Sequence, residues 1–114
     1  MTKMTDEDRD EAWSAFRDAV NMSPGEIEKW LKTKESKDVG QKDGKGESVG
    51  HESGREIIEI RHTKKSDLTD AQYAHMQKVV AYVKRHSAQR PKGDVEDTDW
   101  RYSLMNWGHD PLKS

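Results

Sequence analysis

The 114-residue sequence predicts an all-α fold: about five helices in a small bundle or orthogonal array, with a long glycine-rich loop. Three observations carry this. Apolar residues recur at i, i+3, i+4 and i+7 in separate stretches. Two capping boxes stand where helices should open. No two stretches offer a strand and its partner.

The first predicted helix runs from Asp6 to Val20, with Trp13, Phe16 and Val20 on one face beside Ala12, Ala15 and Ala19. Asp6, Glu7, Asp8, Asp10 and Glu11 crowd its start, where carboxylates meet the positive end of the helix dipole. Ser23-Pro24-Gly25-Glu26 opens the second, which runs to about Lys34 with Ile27, Trp30 and Leu31 on its apolar face. Proline at the first helical position loses nothing, because its N–H would have no partner there. Residues 35–53 mix four glycines and charged side chains with almost no apolar residues, so a flexible Gly/Lys/Glu/Ser loop is expected. A third helix follows from Arg55 to Lys64 around Ile57, Ile58 and Ile60. Thr69-Asp70-Ala71-Gln72 opens the longest helix, to about Ser87, with the stripe Met76, Val79, Val80 and Val83. Thr98 or Asp97 caps a last helix bearing Trp100, Leu104 and Trp107, and Gly108 is placed to end it.

Length allows one domain, residues 1–114, with residues 1–5 frayed. Val, Ile, Leu and Phe number only sixteen, but four Trp, three Tyr and five Met supply large side chains for a small core. Twenty basic and 22 acidic residues nearly cancel, so self-repulsion does not hold the chain open. Without cysteine there are no disulfides, thiol catalysis or thiolate zinc sites. The charged start has no apolar signal segment, and no run is long enough to span a bilayer. These features predict a cytoplasmic protein, or a nuclear one in a eukaryote, without membrane association. The formal glycosylation sequon Asn21-Met22-Ser23 is then incidental.

The near-neutral total hides segregation. Residues 1–31 carry four basic and eight acidic side chains, and residues 61–92 carry eight basic and two acidic. Such a basic block suits phosphate contacts to nucleic acid. On the long helix, Lys78, Tyr82 and Arg85 fall opposite the valine stripe, flanked by His75 and Gln89. The candidate nucleic-acid-binding residues are Lys78, Tyr82, Lys84, Arg85, Arg90, Lys92, Lys64 and Lys65, with Arg55 as an extension. The plainer reading is a solvated polar face, or a long helix docked on the acidic first one. Helices flanking Lys65 to Thr69 also fit a helix-turn-helix loosely.

Other chemistry fails on spacing. Gly40 to Gly46 resembles a phosphate loop, but three residues instead of four separate Gly40 from Gly44, and Gly46 stands where Ser or Thr would hold magnesium. His75 and His86 share a helix side but would lie roughly 16 Å apart, too far to share a metal ion. His51-Glu52-Ser53 and His109-Asp110 contain groups used in catalysis, yet adjacency alone does not hold them in reacting geometry. No catalytic residue, metal site or cofactor is assigned.

Four blocks carry a family resemblance. They are Val20-Asn21-Met22-Ser23 into Trp30-Leu31; Glu47 to Arg55; Tyr82-Val83-Lys84-Arg85-His86 to Gln89-Arg90-Pro91; and Trp100 to Pro111. From Ala12 onward the chain resembles an uncharacterised small-protein family of bacteria and fungi, domain of unknown function 3140. Some of its members are labelled DNA-binding. The resemblance implies DNA binding without assigning residues to it. It also implies a more ordered Glu47–Arg55 segment, with Gly50 and Gly54 in turns and Ser53 capping the third helix. The reading that follows is a small DNA-binding domain with a basic helical face. Its rival is a protein-interaction module using Trp100 and Trp107 or the 35–53 loop.

Overall fold

A computed structural model describes residues 5–39 and 49–113. These residues form six α-helices: α1 Asp6–Ala19, α2 Pro24–Leu31, α3 Lys34–Asp38, α4 Val49–Arg61, α5 Asp70–Ser87 and α6 Asp99–Asn106. A short 3-10 turn, Lys65–Asp67, leads into α5, and no strand occurs among the described residues. The chain is all-α. No helix among the described residues is long and apolar enough to cross a membrane.

Local chemistry accounts for most helix starts. Ser23 with Glu26 and Thr69 with Gln72 form reciprocal capping boxes at α2 and α5. Thr5, expected in a frayed terminus, forms a third box with Asp8, because aspartate at the third helical position can also reach back to the cap N–H. Thr98, not Asp97, caps α6. Gly108 has φ +78°, and the amides of Gly108 and His109 close onto the carbonyls of Met105 and Leu104. This Schellman-type ending needs a residue that tolerates left-handed backbone. A Cβ there would also sit 2.9 Å from Val20 Cγ1.

The expectation for residues 35–53 is corrected at both ends. Residues 35–38 belong to α3, capped by Thr33, and residues 49–53 are the first turns of α4. Residues 40–48 lie outside the described residues. The third helix thus starts six residues before Arg55, so Ser53 is not its cap. Gly50 and Gly54 are helical residues, not turns. Their value is proximity: a Cβ on Gly54 would sit 2.8 Å from the carbonyl oxygen of Asn106, and one on Gly50 3.3 Å from Asn106 Cβ. The glycines let α4 and α6 approach backbone to backbone.

One apolar cluster joins α1, α2, α4, α5 and α6 through Phe16, Ile27, Ile57, Met76, Val79 and Leu104. Helix α1 packs along α5, while α6 meets α2, α3, α4 and α5. The long helix therefore has α1 along one flank and α6 against the other. This placement decides which of its polar residues can face outward.

Candidate nucleic-acid interface

The eight candidate residues do not form one patch. Lys64 and Lys65 precede α5, and Arg90 and Lys92 follow it; its 18 residues separate the two ends by about 27 Å. Lys65 is also neutralised, with Nζ 2.7 Å from Asp10 Oδ1 on α1 and 4.9 Å from the Trp13 ring centroid. Lys84 faces the groove between α1 and α5 in the company of Asp8 and Glu11. The acidic first helix does dock on the long helix, with the Arg9–Asp70 and Lys65–Asp10 ion pairs near one end.

Tyr82 is misplaced by the helical wheel. It lies on the flank that α6 covers, half-buried, with its ring 4.2 Å from Trp107 at an interplanar angle of 14°. It belongs to a stacked column running His75, Trp107, Tyr82, His86 and Trp100. Burial pushes the Tyr82 phenol above its ordinary range, and a hydrogen bond with Ser103 partly opposes this. Trp100 and Trp107 are only 9% and 4% exposed, so neither offers a partner an indole surface. The Trp100 indole N–H donates to the His86 carbonyl, which satisfies its polar atom inside the core.

Lys78, Arg85, Arg90 and Lys92 remain. All four are exposed, and none makes an ion pair among the described residues. Lys78 and Arg85 stand two turns apart on one ridge of α5, about 10 Å along its axis. The Arg85 guanidinium lies 6.0 Å from the Tyr82 ring centroid and that of Arg90 lies 5.5 Å from the Trp100 centroid. The column thus backs the strip at two points. Arg55 sits on α4, apart from this ridge.

The structure also assembles polar groups that sequence reasoning left separate. Ser53 Oγ is 2.9 Å from His75 Nε2, and His75 Nδ1 is 3.0 Å from Glu56 Oε2. With the ring proton on Nδ1 beside the carboxylate, Nε2 accepts from the serine hydroxyl. Burial holds His75 below the ordinary imidazole range and outweighs the opposing effect of Glu56. The spacing is that of a nucleophile, base and orienting acid. Ser53, however, is 2% exposed and lies inside α4. Its hydroxyl is sealed from substrate, and the relay ties α4 to α5.

Asn106, 1% exposed, is the second such network. Its Oδ1 accepts from Trp30 Nε1 at 2.8 Å and from the Ser36 hydroxyl, while Nδ2 donates to the Ser36 carbonyl at 3.1 Å. One amide side chain joins α2, α3 and α6. The other suspected catalytic groups are also structural. His51 donates to the Leu31 carbonyl and His109 to that of Ala19. Asp110 holds Arg101 through two 3.0 Å contacts. Burial alone would raise the Asp110 carboxyl, but Arg101 and the Leu112 amide hold it below its usual range. Among the described residues no group of three or more His, Asp or Glu is placed to hold a metal ion.

Fold and surface together define a small all-α domain with buried polar ties and a cationic strip on its longest helix. A family model described as "Protein of unknown function (DUF3140)" matches residues 15–105, and the chain belongs to that family. No curated protein and no solved structure matches it.

Proposed function

We propose that this domain binds nucleic acid, preferably duplex DNA, through phosphate contacts from Lys78, Arg85, Arg90 and Lys92. The supporting observation is the difference between two sets of cations. Those facing α1 have acidic neighbours, whereas these four stand along the outer side of α5 and its exit without ionic partners among the described residues. Such contacts give modest, sequence-tolerant, salt-sensitive affinity, because binding releases condensed counterions. The domain acts in the cytoplasm, or in the nucleus of a eukaryotic cell.

Fluorescence anisotropy with labelled duplex at low and physiological salt tests this. Four phosphate contacts give a log–log salt slope of up to about −3.6. Lys78→Glu with Arg85→Glu abolishes the low-salt signal, while Lys84→Glu changes it little. Absence of low-salt binding, or indifference to the double charge reversal, rejects the proposal.

A further inference from the structure

An open groove of about 360 Å³ runs between α1 and α5. Its middle is apolar and shallow: Ala81 is exposed, and Ala15 and Val80 are half-buried. Ala74 and Ala88, two turns before and after Ala81 on the same line of α5, are exposed as well. No long side chain on that line holds a facing helix away. The rims carry opposite charge. Asp8 and Glu11 stand on the α1 side and Lys84 on the α5 side, all three exposed. Asp8 lends one carboxylate oxygen to the Thr5 amide at the cap of α1. Glu11 and Lys84 line one groove, yet neither makes an ion pair among the described residues, with each other or with anything else.

A face that is apolar along its middle, acidic on one rim and basic on the other complements itself. In a two-fold dimer whose axis runs along the groove, the acidic rim of each copy lies on the basic rim of the other. A two-fold across the groove would instead set like charge on like. A second copy therefore supplies both charges at the required spacing, because its rims are the same. We infer that the α1–α5 face is a self-association surface, on which α5 of one copy faces α1 of a second. Lys84 of each copy then pairs with the other copy's Glu11, and Ala15, Val80 and Ala81 lose water together. Lys78 and Arg85 lie about 100–120° around α5 from Lys84, outside this contact. The inference therefore stands apart from nucleic-acid binding.

Sedimentation of the full chain from about 10 µM to about 1 mM, at low and physiological salt, tests this surface. The weight-average mass should climb from one chain of 13.1 kDa toward two, and added salt should shift the rise to higher concentration. Glu11→Lys and Lys84→Glu each set like charge on like at two symmetry-related contacts. Each alone should weaken self-association about tenfold or more. Mixed one to one, the two variants should associate at least as well as the wild type, because a copy with two basic rims then meets a copy with two acidic ones. A mass that stays at one chain up to about 1 mM overturns the assignment and leaves the groove to a different protein. Association that both single variants retain places the contact elsewhere and overturns it too, as does a mixture no better than either variant alone. The wild-type concentration series decides even if a variant misfolds.

Discussion

Helix α1 meets α5 through large apolar side chains, with ion pairs near one end and open clefts beside the contact. Helix α4 meets α6 through Gly50 and Gly54, with the buried Asn106 amide at the join. The first contact draws its stability from apolar area and can adjust, because side-chain ends can move. The second depends on backbone proximity and on hydrogen bonds whose loss leaves buried donors without partners. The two regions should therefore respond very differently to small changes.

The largest effect is expected for Asn106→Ala. It strands Trp30 Nε1 and the Ser36 hydroxyl, and should cost about 3 kcal/mol or more in urea unfolding. A loss under 1 kcal/mol would show that water replaces the amide. Next comes Gly54→Ala. Alanine favours helix by about 1 kcal/mol, yet its Cβ would press on the Asn106 backbone, so a net loss of about 1–3 kcal/mol is expected. Gly25→Ala is the matched control. A Cβ there meets nothing within 4 Å, and the variant should be unchanged or slightly more stable. If both alanines stabilise the domain, the α4–α6 contact is looser than described.

Acid should act on the His75 tie. Burial depresses the His75 and His86 imidazoles, so the unfolded chain takes up protons first as pH falls below about 6.5. Their contribution is present above that pH and is lost as pH falls toward the folded values. Urea midpoints at pH 7.5 and 5.5 should show the loss, and His75→Gln should reduce it. Glu52, Glu56 and Lys78 also act on His75, so Glu56→Gln, which removes an opposing charge, should steepen the acid loss. The smallest effect belongs to the α1–α5 edge. Arg9→Ala removes the Asp70 pair at partly exposed side chains, and thermal unfolding should barely move.

The contrast also explains what could be read in advance. Capping boxes and the stripes of α1, α2, α5 and α6 involve residues three or four apart, so they are visible in the chain itself. Helix α4 was obscured because Gly50 and Gly54 lower helix propensity locally, while their benefit comes from α6 more than fifty residues later. Tyr82 shows the same limit. Its wheel position gives an angle from the valines but not that α6 covers that flank. Six of the seven candidate cations stayed exposed and without an ion pair among the described residues. Lys65 did not, because Asp10 lies 55 residues away in sequence.

By itself, the amino-acid order determined an all-α chain, its main helix starts and the apolar residues available for a core, because hydrogen bonding and helical periodicity act within one or two turns. Tertiary structure alone decided which cations stay open and which histidine joins Ser53 to Glu56. Those outcomes depend on distances between residues remote along the chain, and only the packing of α1 and α6 against α5 sets them.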